Sequence, residues 1–296
     1  MLIDQILALP AGSVRVADIG AAFYGEVPPY QRLLDTGLGR LFAFELDSRY
    51  ADPLRQRIGS TGTVFDQAIG DGHEHTLYLC DNGWTSLLEP DPDALAFFNT
   101  FPILGRVRLK SSIATRRLDD IDELPQIDFL KMDVQGSELS ILQNGRKKLS
   151  KCVATQIEIS FIPLYKNQPP FGLLDTELRS QGFIPHRFMD IKRWPITPTV
   201  RNNDPRQPFN QLLEGDIVYI RDIIHPANLS DEQLKKLAAI AHYVFNSPDL
   251  EARCIIELQN RSVLKGNSVE AYLQTIRAVA DTLDETSPLL SSKIKH

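Results

Sequence analysis

Short runs of β-branched and aromatic residues alternate with segments of helical spacing over the first two-thirds of the chain. The runs are VRVADI (14–19), LFAFEL (41–46), TVFDQAI (63–69), IDFLKMD (127–133), VATQIEI (153–159), GFIPHRF (182–188) and DIVYI (216–220). Between them, apolar residues recur at helical spacing, as at Tyr30, Leu33 and Leu34. This alternation favours a parallel sheet that helices cover on both faces. We therefore predict an α/β fold with a doubly wound, Rossmann-like sheet of seven strands.

The pattern changes to helices alone near the end of the chain. Ser230 and Gln233 have the spacing of a capping box, and apolar residues recur at helical spacing through 269–283. We predict a sheet domain at 1–225 and a helical extension at 226–296. The apolar stripes of the extension are expected in the core or at the surface of a homo-oligomer.

Composition and charge restrict the partners. The chain has 296 residues, 43% of them hydrophobic, and a formal net charge of −6. An acidic balance argues against broad binding to nucleic acid, which depends on neutralising phosphates. No apolar run has the length of a membrane span, and MLIDQILALPAG has an acid where a signal peptide needs positive charge. We predict a cytoplasmic protein with no nucleic-acid partner and no membrane span.

Metal-binding patterns are weak. The three cysteines form no CxxC pair, and His73 and His75 have no third ligand at a recognisable spacing. We predict no metal site.

The turn after the first strand, VADIGAAFYGE (16–26), bears on which nucleotide the fold can hold. Gly20, Ala22 and Gly25 spell G-x-A-x-x-G, one residue short of the dinucleotide fingerprint. Ala22 puts a methyl group where a pyrophosphate needs bare backbone, and two prolines postpone the helix to about Tyr30. S-adenosylmethionine, which has no phosphates, suits this turn better than a dinucleotide.

Two carboxylates stand where such a cofactor would need them. Asp18 ends the first strand, and Glu45 ends the second, where a carboxylate can accept both ribose hydroxyls. Acids also suit a positively charged sulfonium. Enzymes that use NAD place an acid on the second strand too, and the simpler interpretations are a turn cap for Asp18 and a surface strand end for Glu45. The spacing of the two acids alone does not decide between a methyl donor, NAD and these structural roles.

A longer series of motifs points to a family. It comprises DIGAAFYGE (18–26), FELD (44–47), AIGDG (68–72), WTSLLEP (84–90), IDFLKMDVQGSELSILQNG (127–145), EISFIPLYKNQPPF (158–171) and LRSQGFIPHRF (178–188). The series resembles the FkbM family of S-adenosylmethionine-dependent methyltransferases over roughly 14–222, and its most specific segment is similar to LLKIDVEGAELEVLKGA. The first turn departs from the family, with alanines where many members have glycine and asparagine.

The resemblance implies a fold, an activity and a cofactor site. The fold is the class I methyltransferase sheet, with strand order 3-2-1-4-5-7-6 and the seventh strand antiparallel. The activity is methylation of hydroxyl groups on sugars or secondary metabolites, with S-adenosyl-L-methionine as the cofactor. The implied cofactor-binding residues are Asp18, Gly20, Ala21, Glu45, Leu46, Ile69, Asp71 and Asp133. For the AIGDG segment, a simple Gly-Asp-Gly turn is the alternative.

Three residues are candidates for the chemistry. Asp133 ends the fourth strand and Glu158 lies near the end of the fifth, so neighbouring strands would direct two carboxylates into one crevice. One could accept the hydroxyl proton while the other orients the acceptor; alternatively, Asp133 caps the helix near Ser137 or holds the cofactor's amino group. His186 is a third candidate base, or a packed strand residue. Glu138 is interpreted as structural, because an acid in the first turn of a helix is favoured by its dipole.

We predict an S-adenosylmethionine-dependent O-methyltransferase that acts on a hydroxyl of a sugar, a glycan precursor or a related metabolite. Its partner would be a small-molecule or saccharide acceptor. Tyr165 and Trp194 follow the fifth and sixth strands, where they could stack on a sugar ring or anchor their loops. The alternatives are a non-enzymatic, degenerate methyltransferase-fold scaffold and, with less support, an NAD(P)-dependent oxidoreductase.

Overall fold

Ten strands form two sheets in the computed structural model, which describes residues 2–22, 27–80, 84–264, 269–270 and 272–274. The strands are β1 (Val14–Ile19), β2 (Gly39–Phe44), β3 (Gly62–Phe65), β4 (Ala68–Ile69), β5 (Glu74–Cys80), β6 (Val107–Arg116), β7 (Phe129–Met132), β8 (Ala154–Ser160), β9 (Phe183–Arg193) and β10 (Leu212–Arg221). The large sheet has seven strands in the order β3-β2-β1-β7-β8-β10-β9, and β10 is antiparallel to both neighbours. This order confirms the predicted class I methyltransferase sheet.

The third predicted strand is wrong in its length. The run at 63–69 divides into β3, which joins the large sheet, and β4, which pairs with the end of β6 in a separate three-stranded sheet. Asp66 and Gln67 separate the two short strands, but the sequence does not show which sheet each strand pairs with.

Helices cover both faces of the large sheet. They are α1 (Leu2–Leu7), α2 (Gln31–Asp35), α3 (Ser48–Ile58), α4 (Pro92–Phe97), α5 (Phe101–Leu104), α6 (Glu138–Gln143), α7 (Phe171–Ser180), α8 (Asp231–Ile240) and α9 (Pro248–Asn260). Helix α2 begins after Tyr30, as the two prolines before it predict. No helix within the described part of the chain is both long and apolar enough to cross a bilayer.

The helical extension packs on the sheet rather than apart from it. The predicted capping box is present at Ser230 and Gln233, and the apolar side chains of α8 and α9 lie in one hydrophobic core with β1, β7 and β10. The Lys236 ammonium group, 3% exposed, lies 3.0 Å from the Asp128 carboxylate that precedes β7. Most of the predicted third helix at 269–283 lies outside the described residues, so the boundary at 225 and 226 stays a prediction.

One face of the sheet changes character along its strands. Val16, Phe129 and Ala154 are neighbours on β1, β7 and β8, and they are buried in the core that the extension covers. Two residues further along, the same face carries Asp18, Lys131 and the third neighbour, Gln156. The extension therefore covers the amino-terminal half of this face, and polar side chains occupy the carboxyl ends of the strands.

Candidate active site

The turn after β1 lies directly against the end of β7. Gly20 has a φ of +82°, and a Cβ atom built on it would lie 1.9 Å from the carbonyl oxygen of Asp133. The backbone N–H of Asp133 donates to the carbonyl oxygen of Ile19 at 3.0 Å. Only glycine permits this approach, which brings the predicted cofactor turn and the predicted catalytic carboxylate together.

Asp133 and Glu158 form a carboxylate pair through one amide. The Gln135 Nε2 group donates to Asp133 Oδ1 at 2.9 Å and to Glu158 Oε2 at 3.0 Å. Burial and the charge of Asp133 raise the pKa of Glu158 well above its ordinary value. Among the hydrogen bonds of the described residues, none joins the Asp133 carboxylate to the first turn of α6. The structure brings the two acids together on one amide.

Four further charged groups surround this pair. Lys192 on β9 lies 2.7 Å from Glu214 and 3.6 Å from Glu158. Burial raises the pKa of Glu214 and of Asp216 on β10, and Asp133 adds to both shifts. Burial lowers the pKa of Lys131 and Lys192, but the surrounding carboxylates outweigh that effect and the pKa of each lysine rises. Both lysines therefore stay charged and offset part of the negative charge.

The first two strand-end acids differ in how far the protein engages them. Asp18 is 3% exposed; it accepts the Tyr30 hydroxyl at 2.5 Å and faces the Lys131 ammonium at 3.5 Å. Glu45 accepts the backbone N–H of Asp47 through Oε1 at 2.8 Å, and burial raises its pKa. The backbone N–H of Leu46 also interacts with this carboxylate and opposes the effect of burial on its pKa. Glu45 therefore contacts backbone donors, whereas Asp18 contacts the side chains of a tyrosine and a lysine.

The remaining predicted cofactor residues follow strands of both sheets: Ala21 and Leu46 come after β1 and β2, and Ile69 and Asp71 lie at the end of β4. Ala21 and Ile69 are buried, and Leu46 is 41% exposed. Asp71 Oδ1 accepts the backbone N–H of His73 at 2.9 Å and faces His75 Nε2 at 2.8 Å. Burial raises the pKa of Asp71, but these hydrogen bonds outweigh it and the pKa falls below its ordinary value. The Gly-Asp-Gly turn is therefore stabilised by Asp71 itself.

His186, on β9, contacts the segment of the helical extension that precedes α9. Its Nε2 atom lies 2.9 Å from the Ser247 hydroxyl before α9, and its ring is 6.4 Å from that of Phe245. Burial lowers its pKa. None of the hydrogen bonds within the described residues joins His186 to Asp133 or Glu158, and these contacts favour the packed-residue alternative over a catalytic role.

Residues 18–185, more than half of the chain, match the methyltransferase FkbM domain family. The chain belongs to the FkbM methyltransferase family. This confirms the predicted resemblance, and with it the class of S-adenosyl-L-methionine-dependent methyltransferases. The family membership also confirms the predicted cofactor, S-adenosyl-L-methionine.

Individual relatives are more distant. The 2-O-methyltransferase NoeI of Sinorhizobium fredii is 31% identical over an alignment of 151 residues, and the match covers 46% of this chain and 60% of NoeI. The crystal structure of magnesium protoporphyrin IX methyltransferase from Synechocystis PCC 6803 with bound S-adenosylmethionine is 10% identical, with a TM-score of 0.36. That match covers 74% of this chain and 78% of the other. The chain spans only 60% of the length of NoeI, so the match does not identify the acceptor of this protein.

The charges of this FkbM-family site fit the cofactor. S-adenosylmethionine carries a positive sulfonium, and the carboxyl groups of Asp18, Asp133, Glu158, Glu214 and Asp216 outnumber the ammonium groups of Lys131 and Lys192 among them. The Glu45 carboxylate, directly after β2, suits a ribose hydroxyl. A diphosphate would meet these acids with like charge.

Two side chains of the site, besides the charged groups around the pair, have contacts that the sequence did not predict. Gln135 bridges the carboxylates, and Tyr165, considered only for stacking or loop anchoring, donates its hydroxyl to Gln135 Oε1 at 3.0 Å. Trp194 anchors its loop, donating Nε1–H to the carbonyl oxygen of Asn99 at 2.8 Å. Nothing in the sequence distinguished Gln135, because a glutamine that precedes a glycine is common in loops.

Glu138 gives this site a pH-dependent contribution to stability. Its carboxylate accepts the backbone N–H groups of Val134 at 3.2 Å and Gly136 at 3.1 Å, which supports the structural interpretation. Burial raises its pKa from the ordinary 4.5 to about 7, although these backbone donors act in the opposite direction. Stability that is present below pH 4.5 is therefore lost as the pH rises through about 7.

We expect Glu138→Gln to remove this pH dependence. The amide oxygen can still accept both N–H groups without ionising, so the variant should exceed the parent in stability at pH 8 by up to about 3 kcal/mol. The advantage should vanish near pH 4.5, the ordinary pKa. Urea unfolding across this range measures it, with the exposed Glu123→Gln as the control. A difference that does not change with pH would contradict the assignment.

Proposed function

We propose that this protein is an O-methyltransferase that transfers the methyl group of S-adenosylmethionine to a hydroxyl of a sugar, a glycan precursor or a related metabolite. The observation that carries the proposal is the Asp133–Glu158 pair at the carboxyl ends of β7 and β8, directly beside the Gly20 turn. An alcohol is a poor nucleophile, so its methylation needs a base. The name of NoeI, a 2-O-methyltransferase, supports a hydroxyl acceptor.

Each predicted residue has a role in this proposal. Asp133 accepts the hydroxyl proton, and Glu158 orients the acceptor and completes the pair. The bound cofactor supplies an electrophilic methyl group on a cationic sulfur. Its remaining contacts are assigned to Asp18, Gly20, Ala21, Glu45, Leu46, Ile69 and Asp71. His186 is assigned to packing of the helical extension, on the strength of its bond to Ser247.

A groove at the end of β8 supports an acceptor that contains a ring. It has a volume of about 580 Å³ and begins at Phe161, directly after β8. Trp194 and Phe209 form aromatic walls, and Asn210 and Gln211 add amide groups. Pockets of this size, with aromatic surfaces and a few polar groups, are typical of small-molecule sites. The groove lies on the Glu158 side of the sheet edge, because Phe161 follows β8 and Glu158 lies within it.

Calorimetry tests the donor and mass spectrometry tests the acceptor. We expect S-adenosylmethionine and S-adenosylhomocysteine to bind with micromolar affinity and NAD not to bind, and one hydroxyl compound of a glycan and metabolite panel to gain a methyl group. NAD binding alone would overturn the proposal in favour of an oxidoreductase. Donor binding without methylation of any panel member would favour the scaffold alternative. A cytoplasmic location and a homo-oligomer formed through the C-terminal helices stay predictions.

A further inference from the structure

We propose that Gln135 is a positioning residue that holds Asp133 and Glu158 as one proton-sharing pair, and that the Tyr165 hydroxyl determines which way its amide faces. The role of the pair in methyl transfer rests on the proposed function. The arrangement of the four side chains does not, and it can be measured on the protein alone.

Gln135 makes four hydrogen bonds with the groups around it. Its Nε2 group donates to both carboxylates, its Oε1 atom accepts the Tyr165 hydroxyl, and its backbone carbonyl oxygen accepts the Ser86 hydroxyl at 2.6 Å. Gln135 also has a φ of +58°, in the left-handed region, which is strained for a residue with a side chain. A strained conformation held by four hydrogen bonds points to a functional constraint at this residue.

Tyr165 favours one orientation of the amide. The ionised Asp133 carboxylate only accepts hydrogen bonds, so the NH₂ side of the amide faces Asp133. The Tyr165 hydroxyl is a donor, and it supplies the proton that Oε1 accepts on the opposite side. Burial raises the pKa of Tyr165 well above its ordinary value, so this donor persists throughout the neutral range. The tyrosine therefore prevents the amide from turning its oxygen towards the acids.

The surroundings of the pair favour a single proton. Two carboxylates that share one NH₂ group repel each other when both are ionised. Glu214 and Asp216 on β10 add negative charge, while Lys192 on β9 and Lys131 on β7 add positive charge. Because burial and Asp133 favour the protonated form of Glu158, we place the proton on Glu158 and leave Asp133 as the acceptor.

Methyl transfer in this arrangement releases one neutral thioether and one proton. The acceptor oxygen forms a bond to the methyl carbon while the carbon–sulfur bond breaks. The electron pair of the broken bond stays on sulfur, so that the sulfonium becomes a neutral thioether. The hydroxyl proton moves to the Asp133 carboxylate. Gln135 keeps that carboxylate turned towards the reaction, and its N–H donors stabilise the ionised form that accepts the proton.

Side-chain carboxyl NMR during a pH titration tests the proposal, with Asp133→Asn and Glu158→Gln used to assign the resonances. We expect Gln135→Leu to raise the titration midpoint of the pair by about one pH unit or more, because both acids lose a donor. Tyr165→Phe should shift it in the same direction by less. Gln181→Leu is the matched control, since the Gln181 amide donates to the Leu142 carbonyl oxygen and to Glu177 elsewhere in the structure.

A second variant separates positioning from mere folding. Gln135→Gly relieves the left-handed strain at φ +58°, so it should fold at least as well as Gln135→Leu while losing the same amide. The proposal requires the midpoint to rise in this variant as well; an unchanged midpoint in the folded Gly variant would overturn it.

Calorimetry with S-adenosylmethionine on the parent and on Gln135→Gly separates failure of the proposed function from failure of the positioning role. Failure of the parent to bind the donor would refute the proposed function and leave the titration readable. Donor binding by the parent, together with an unmoved midpoint in Gln135→Gly, would refute the positioning role alone. With an acceptor in hand, the acidic limb of the pH–rate profile should move with the NMR midpoint.

Discussion

Asp133→Asn is expected to reduce the rate of methyl transfer by about 10²–10⁴-fold, the usual contribution of a general base. Asparagine has the shape of aspartate, and its amide oxygen can still accept the Gln135 Nε2–H that now bonds Asp133 at 2.9 Å. It cannot accept the hydroxyl proton. The variant should therefore fold and still bind S-adenosylmethionine, so that the loss falls on turnover. Calorimetry measures the binding, and mass spectrometry of the methylated acceptor measures the rate.

Asp190→Asn is the matched control for this result. Asp190 is an exposed acid on β9, in register with Asp216, and its carboxylate accepts its neighbour's backbone N–H. It lacks a bond to Gln135, so we expect turnover close to that of the parent. Unchanged turnover in Asp133→Asn would show that Asp133 is no base, and an equal loss in both variants would indicate a general effect of charge.

Gly20→Ala is expected to cause the second large loss, this time in both stability and donor binding. The new Cβ would lie 1.9 Å from the carbonyl oxygen of Asp133, and the residue would have to keep a φ of +82°. Left-handed strain costs about 1–2 kcal/mol and overpacking about 1–3 kcal/mol, so the free energy of unfolding should fall by about 2–5 kcal/mol. Because the turn and Asp133 must separate, affinity for S-adenosylmethionine should fall at least about tenfold, which corresponds to 1.4 kcal/mol.

Gly37→Ala isolates the close approach from the backbone strain. Gly37 has a similar φ of +76°, but nothing lies within 4 Å of a Cβ built there. We expect this variant to lose only about 1–2 kcal/mol of stability and to retain donor affinity. Urea unfolding and calorimetry compare the two variants. Equal losses of stability and affinity in both would mean that contact between the Gly20 turn and β7 is unimportant.

Local sequence patterns predicted the order of elements well. β-branched runs identified the strands of the large sheet, two prolines delayed α2 until after Tyr30, and the capping box at Ser230 began α8. The division between β3 and β4 was not predicted, because it depends on which sheet each short segment can pair with. Pairing partners lie far away in the chain, and Ala68 meets Thr115.

The site shows the same distinction. The strand order that the family resemblance implies was enough to put Asp133 and Glu158 at neighbouring strand ends, where parallel pairing brings them close. The contribution of Gln135 depends on its left-handed backbone and on a hydroxyl from Tyr165, a residue 30 positions away in the chain. His186 was a reasonable candidate base by residue type, yet its hydrogen bond is to Ser247, 61 positions away.

The amino-acid sequence by itself determined the class of fold, the family and the acids at the strand ends, because these follow from periodicity and motifs within short segments. Only the tertiary structure decided that one amide joins two of those acids and that Tyr30 and Lys131 contact the Asp18 carboxylate. It also decided that the extension covers half of one sheet face. Those outcomes depend on strand register and on loops meeting across the sheet, and no short stretch of sequence specifies either.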